Sequence, residues 1–493
     1  MAPDASRSFF GHPRALSSLF FTEMWERFSY YGMRALLVLF LVDAVKHGGF
    51  GLDDRTATAI YGLYTACVYL SGLPGGWIAD RLIGAQAAVL WGAVLIGCGH
   101  LLLALPGGPT LFYVGLAVIV LGTGLLKPNI SALVAGLYPE GGSRRDAGFT
   151  VFYMAINLGA FLGPLATAWL AQRYGWHAGF LTAAVCMGLG IVYFLRTRSR
   201  LGTASAAAPP PRNNPGLRRD WQLFLAGTAL TVALIAAVAF GLVHVSAIAL
   251  QAAGIYVILA MAVAYFVYLL LFAGLDRAER RRVALLALLF LGSAVFWSGF
   301  EQGGSSMSLF AQRYTDRMLG SFEIPTGWFQ SINSAFIIVF APLMSGLWLA
   351  LERRGRDLGT VPKFILGLLG MALGFGVMAL GARVVAGGGL ASPSWLVFVN
   401  LLHTWGELAL SPVGMSATTQ LVPRRFVGQS MGIWFVSMAL GNLLASVIAG
   451  GFEADNIAAM PGQYLSIFWY GTGAALLLFA VQPLFRRATT PAR

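Results

Sequence analysis

The chain is a succession of apolar stretches of about 20 residues or more, parted by short polar turns. A bilayer core about 30 Å thick takes about 20 residues of α-helix to cross. Lipid offers no partner to backbone N–H and C=O groups, so segments of this kind fold as helices. In order they lie at about 14–43, 55–79, 85–106, 109–138, 146–172, 177–195, 221–244, 249–275, 283–312, 326–350, 362–385, 394–421, 426–450 and 464–485. The expected fold is an all-α polytopic membrane protein of fourteen helices. At 57% hydrophobic and 11% charged, with a mean hydropathy of +0.72, the chain is far from soluble domains, in which about one residue in four is charged.

Two changes of composition divide it. Residues 196–220 turn abruptly to Pro, Ala, Arg and Asn and read as a linker. Residues 221–275 are a helical hairpin almost without internal charge, and segments with nothing polar to hide face lipid. The organisation expected is a six-helix bundle over 1–195, the linker, the inserted hairpin, and a second six-helix bundle over 276–493. The turn E-R-R-G-R-D after the eighth core helix echoes the acidic-basic turn after the second, a weak mark of internal duplication. The net charge of +13 sits mainly in the terminal segments and in alternate loops. That distribution points to a cytoplasmic face carrying both termini, not to nucleic acid. No removable leader is read at the N-terminus. Cys67, Cys98 and Cys186 lie in separate spans without metal-ligand spacing and read as small core residues. Gly72-x-x-x-Gly76 and Gly159-x-x-x-Gly163 suit close helix packing.

The first span breaks the apolar rule. In E-M-W-E-R-F-S-Y-Y-G-M-R, residues Glu23, Glu26, Arg27, Tyr30, Tyr31 and Arg34 recur at helical spacing on one face. An ionisable group at the bilayer centre costs about 2.5–3.5 kcal/mol even on a lenient insertion scale. The stripe therefore faces protein interior or a wet cavity. A solvated face is excluded by composition; a purely structural ladder, with Glu23 meeting Arg27 at i,i+4, stays open.

Further polar residues lie deep in other spans. Tyr61 and Tyr64 read as interfacial anchors, while Tyr69 is deep enough to reach a cavity. Lys127 is too deep to snorkel and wants an anion. Tyr153 and Asn157 share a face at i,i+4, and so do Trp297, Glu301 and Ser305 in the seventh core helix. Asn333 lies within an apolar run; His403, Glu407 and Ser411 share a face ahead of Pro412; Trp434 sits in M-G-I-W-F-V-S. His403 reads as a hydrogen-bonded packing residue. The buried acids Glu23, Glu26, Glu301 and Glu407 outnumber the bases Arg27, Arg34 and Lys127 by one, which leaves a natural site for an exchangeable proton. Pairs such as Arg34 with Glu301, or Lys127 with Glu407, would lock the two halves until the acid is protonated. Cations on one wall and an acid on the other suit a zwitterion, though an amino acid, a drug-like zwitterion or an organic anion fits charge placement equally.

These residues resemble a known family. E-M-W-E-R-F-S-Y-Y-G-M-R is similar to the ExxERFxYYG signature of the proton-dependent oligopeptide transporters of the major facilitator superfamily. Supporting segments follow in the family's order: G-G-W-I-A-D-R-L-I-G, Lys127, F-Y-M-A-I-N-L-G, F-W-S-G-F-E-Q-G-G-S-S and G-E-L-A-L-S-P-V-G-M-S. The resemblance implies the major facilitator fold, twelve helices in two bundles plus the hairpin of bacterial members. It implies a symporter that carries di- and tripeptides, and peptide-like drugs, into the cell with protons by alternating access. Glu23, Glu26, Arg27, Lys127 and Glu301 would couple the proton. Tyr30, Arg34, Tyr69, Lys127 and Asn157 would line one side of the peptide site, and Trp297, Glu301, Asn333, Glu407, Ser411 and Trp434 the other. Arg34 and Lys127 would take the peptide carboxylate, and Glu407 its amine. Animal members couple through a histidine in the second helix, which this chain lacks, so the proton path would rest on the carboxylates, with His403, one turn from Glu407, as the alternative to its packing role. The alternative is a member that moves nitrate, an amino acid or another organic anion. No H-E-x-x-H or G-x-S-x-G supports an enzyme. The expected setting is the bacterial inner membrane, with a monomer as working unit and no cofactor, metal or nucleic-acid partner.

Overall fold

A computed structural model describes residues 9–140, 142–202, 216–243, 246–356, 358–452 and 456–489. The first eight residues, which bear on the expected lack of a leader, and 203–215, most of the expected linker, lie outside the described residues.

The helices are α1 (Ala15–Val42), α2 (Asp54–Leu70), α3 (Gly72–Ile78), α4 (Ala85–Ala104), α5 (Gly108–Gly136), α6 (Gly142–Tyr174), α7 (Trp176–Thr197), α8 (Leu217–Ala239), α9 (Ala247–Val267), α10 (Arg277–Phe300), α11 (Ser306–Tyr314), α12 (Trp328–Arg353), α13 (Thr360–Ala386), α14 (Pro393–Gln420), α15 (Val427–Gly450) and α16 (Met460–Thr489). Counting α2 with α3 and α10 with α11 as single crossings, the described residues form fourteen helices. Twelve of the spans are long and apolar enough by themselves to cross a membrane. Helix α1, with its four ionisable groups, and the 17-residue α2 are not among them. Charged residues interrupt the apolar run of α1, and α2 falls short in length.

Two expected helices are interrupted. The second span pauses at Ser71, resumes as α3, and runs through a π-turn at Ala79–Ile83, so Asp80 and Arg81 sit in helical geometry and not in a loop. The seventh core span leaves α-geometry for a 3-10 turn at Glu301–Gly304 before α11. Two consecutive glycines there weaken the helix. Ser305, at φ −126° and ψ −101°, is outside any helix, so the expected face of Trp297, Glu301 and Ser305 is not continuous. One element is new: β1 (Met318–Leu319) pairs antiparallel with β2 (Phe322–Glu323) across a turn with Gly320 at φ +64°.

The contacts divide the chain into two compact units. The first holds residues 1–50 and 70–246. In it α1 and α6 touch backbone to backbone: a Cβ on Gly159 would lie 2.9 Å from the Arg27 Cβ, and one on Gly163 would press on the Phe28 carbonyl. The Thr167 hydroxyl donates to the Gly32 carbonyl at 3.0 Å across this seam. That is the close approach expected of Gly159 and Gly163. The other pair is corrected. Gly72 and Gly76 face open space, and the residue between them, Gly75, packs on the Gly124 carbonyl and accepts from the Asn129 amide at 3.3 Å. After the pause at Ser71 the inward face of α3 is that of Gly75.

The second unit holds residues 51–69 and 247–493. Its α10 and α15 meet through a Ser293–Ser437 hydroxyl pair at 2.8 Å and through Gly441 against Trp297. Helix α2 lies here, with Gly62 set against Ser446. Of the hairpin, α8 is half-buried at Thr231 and at Ile235, Ala236 and Ala237 and buries Asp220, which lies 3.7 Å from Arg81. Helix α9 buries Gln251, Ile258, Ala262 and Phe266 and donates from Gln251 to Ser446 at 2.6 Å. Cys67 and Cys98 are exposed on their helices and Cys186 is half-buried, so the core placement expected for them is corrected.

Candidate functional site for substrate and proton

Each unit carries one group of the expected site residues, built on helices whose packing has just been described. In the first unit, Glu23, Glu26 and Arg27 on α1 are 3%, 0% and 3% exposed. The Arg27 Nε lies 3.0 Å from the Glu23 Oε1 and also pairs with the Glu26 carboxylate. The i,i+4 ladder is therefore real. It does not balance by itself, because two carboxylates share one guanidinium. The charge of Lys127, half-buried on α5, acts on both glutamates as well, which brings the group to two acids and two bases. Charges this far out of water persist only when paired, and removal of one partner strands another.

Tyr30 and Arg34 continue the stripe and are buried, while Tyr31 is half-buried. The Arg27 guanidinium stands 5.4 Å from the centre of the Tyr30 ring and that of Arg34 5.7 Å from Tyr31. Such cation-to-ring contacts help to hold a guanidinium in place. Asn157 is buried and donates to the Tyr153 carbonyl at 3.0 Å, whereas the Tyr153 ring is exposed. The two positions lie one turn apart on α6, joined by this hydrogen bond.

In the second unit, Asn333 on α12 donates to the Thr404 hydroxyl at 3.0 Å and to the Glu407 Oε2 at 3.2 Å, both on α14. Glu407 is half-buried and so is Ser411, one turn on. His403 lies on the buried side of the same helix, its Nε2 3.2 Å from the Met371 carbonyl and its ring 5.0 Å from that of Phe375. This is the packing role expected of it. Trp297 is buried, and among the described residues its indole N–H has no hydrogen-bond partner. Trp434 is buried over Gly414 and shares a small apolar cavity with Leu286, Phe290 and Ile433.

Glu301 is 1% exposed at the 3-10 turn, and the Tyr61 hydroxyl donates to its Oε2 at 3.4 Å. This corrects the interfacial position expected of Tyr61. The spacing Tyr61, Thr65, Tyr69 at i,i+4,i+8 was the signal that marked one polar face on α2. Gln302 beside Glu301 is fully buried, donates to the Ala445 carbonyl at 2.9 Å and accepts from the Ser306 hydroxyl at 2.6 Å. These bonds hold the non-helical turn in place. Tyr69 groups with the second unit, as do Glu301 and Glu407; Arg34 and Lys127 belong to the first.

Comparison with known proteins follows the same residues. Residues 86–464 match the POT family. The chain is 44% identical over 489 residues to the peptide transporter YePEPT of Yersinia enterocolitica, covering 96% of this chain and 95% of that one. It is 35% identical over 463 residues to a di-/tripeptide transporter of Lactococcus lactis, covering 91% of each. Among solved structures, a mutant of a peptide transporter POT in complex with alafosfalin superposes with a TM-score of 0.90 at 40% identity, over 98% of this chain and 97% of that one. A POT family transporter in complex with 5-aminolevulinic acid gives 0.88 at 33% identity, over 97% and 98%. With a family match over most of its length, and relatives and structures that cover nearly all of it, this chain belongs to the POT family of membrane transporters.

Proposed function

We propose that this protein carries di- and tripeptides into the cell together with protons, as a monomer in the bacterial inner membrane with both termini in the cytoplasm. Arg34 and Lys127 receive the peptide carboxylate, Glu407 receives the amine, and Tyr30, Tyr69, Asn157, Trp297, Ser411 and Trp434 shape the space between. Asn333 fixes the Glu407 carboxylate, as its 3.2 Å hydrogen bond suggests. The proton is handled by Glu23, Glu26, Arg27 and Lys127 with Glu301. Protonation releases the locks Arg34–Glu301 and Lys127–Glu407 in turn, which permits alternating access. The driving force is about 2.3 kcal/mol per charge per 100 mV and about 1.36 kcal/mol per pH unit.

The observation that carries this reading is the buried α1 cluster, where two carboxylates share one arginine in a chain of this family. A membrane helix holds such a group against its insertion cost when the group does chemistry. A second reading, transport of a single-residue zwitterion, is favoured by the structural relative that binds 5-aminolevulinic acid.

The test is uptake of labelled dialanine into proteoliposomes under an imposed inward proton gradient. Uphill accumulation is expected, abolished by a protonophore. Accumulation of 5-aminolevulinic acid with no dialanine movement favours the second reading and overturns the first.

A further inference from the structure

One charged cluster plays no part in the site above. Helix α9 ends in a π-turn at Tyr268–Phe272, and four residues later Asp276 caps α10, which opens R-A-E-R-R-R. The 3-10 turn Arg424–Phe426 ahead of α15 comes up against this corner, because the Arg425 guanidinium donates to the Ala273 carbonyl at 2.8 Å. Arg277, Arg280, Arg281, Arg282, Arg424 and Arg425 thus gather at one corner of the second unit.

Six arginines face two acids there, so the cluster keeps a positive excess of four charges. The two acids present, Asp276 and Glu279, form a reciprocal capping box: Asp276 accepts from the Glu279 backbone at 2.7 Å, and Glu279 accepts from the Asp276 backbone at 3.1 Å. Among the described residues none of the six arginines is within ion-pair distance of a carboxylate. The Nε of Arg282 is buried and lacks a hydrogen-bond partner. Beside the cluster the end of α9 presents an apolar shelf, with Leu271 65% and Phe272 73% exposed.

We propose that this corner binds the headgroup of an anionic phospholipid, its phosphate among the arginines of α10 and the Arg424–Phe426 turn and its acyl chains along the end of α9. Arginine forks match phosphate oxygens two at a time. Basic pockets between membrane helices at the headgroup level are suited to anionic lipid. The apolar shelf selects a lipid over a free anion, since soluble phosphate gains nothing from it.

The test is native mass spectrometry of the full chain in detergent, titrated with phosphatidylglycerol, phosphatidylcholine or glycerol 3-phosphate. Saturable retention of phosphatidylglycerol is expected. The variant Arg280→Gln/Arg281→Gln/Arg424→Gln should weaken it about tenfold or more. Replacement of the same residues by lysine, which keeps charge, should lose less. Removal of two charges at the end of α12, in Arg353→Gln/Arg354→Gln, should leave retention unchanged. An equal loss in that control, retention equal to that of phosphatidylcholine, or competition by glycerol 3-phosphate at matched concentration overturns the site. Thermal unfolding in detergent without added lipid reports whether each variant is folded.

Discussion

Asp54, in the first turn of α2, and Arg313, near the end of α11, meet as a two-pronged ion pair, with Nη1–Oδ2 at 2.6 Å and Nη2–Oδ1 at 2.7 Å. Both side chains are partly shielded from water. Two parallel N–H···O bonds fix angle as well as distance, and this pair fixes α2 against the broken seventh core helix. Replacement of either partner should cost about 1 kcal/mol or less, as for other partly exposed pairs. The exchange Asp54→Arg/Arg313→Asp should restore most of it. Thermal unfolding of the two single variants and the swap measures this; a swap no better than the worse single variant denies the pair its role.

The α1 cluster makes a sharper demand. Arg27→Met leaves two carboxylates buried at 3% and 0% exposure with one guanidinium gone. Breaking a buried pair from one side costs about 3–5 kcal/mol. The variant should be poorly expressed or markedly less stable, while Glu26→Gln, which removes charge and keeps shape, should fold. In proteoliposomes Glu26→Gln and Glu23→Gln should lose uphill accumulation and keep downhill peptide exchange. Unimpaired accumulation in both variants would remove α1 from the proton path.

Asn333 and Glu407 predict a substrate effect. Asn333→Ala removes the 3.2 Å hydrogen bond that helps to place the carboxylate proposed to meet the peptide amine. One hydrogen bond of about 1 kcal/mol corresponds to about a fivefold rise in KM with little change in turnover. The rise should vanish for an N-acetylated peptide, which has no charged amine to place. Equal sensitivity of free and acetylated peptides would place Glu407 away from the amine.

Two adjacent glycines give a prediction about packing alone. Gly76→Ala adds a methyl group to open space and should be tolerated. Gly75→Ala drives one into the Gly124 backbone, 2.9 Å from the Leu125 nitrogen, and should destabilise the first unit or displace α3 from α5. Unfolding temperatures in detergent compare the two directly.

Outside the membrane, Asp53 stands just ahead of α2 and accepts from the Thr56 backbone at 2.9 Å. Hydrogen bonds from Thr56, hydroxyl and backbone, hold its carboxyl below the usual range. A carboxylate lowered on folding stabilises above its unfolded pKa, and the gain is lost as pH falls through the folded value. Asp53→Ala should therefore cost more at neutral pH, about 1 kcal/mol or less at so exposed a cap, than in strong acid. Unfolding of both proteins across that range checks the sign.

The amino-acid sequence by itself determined the helical crossings and the membrane, because hydropathy and the need to satisfy every backbone group in lipid act on each segment alone. It also marked the α1 stripe, since helical spacing puts Glu23, Arg27, Tyr30 and Arg34 on one face whatever surrounds them. Tertiary structure decided the rest. That Gly75 and not Gly72 or Gly76 is the contact depends on a pause at Ser71 that periodicity assumes away. That Tyr61 reaches Glu301 depends on a 3-10 turn anchored by Gln302 to the carbonyl of Ala445, 143 residues further along the chain. Local spacing names which residues share a face; only packing between distant segments settles what that face meets and where a helix is allowed to break.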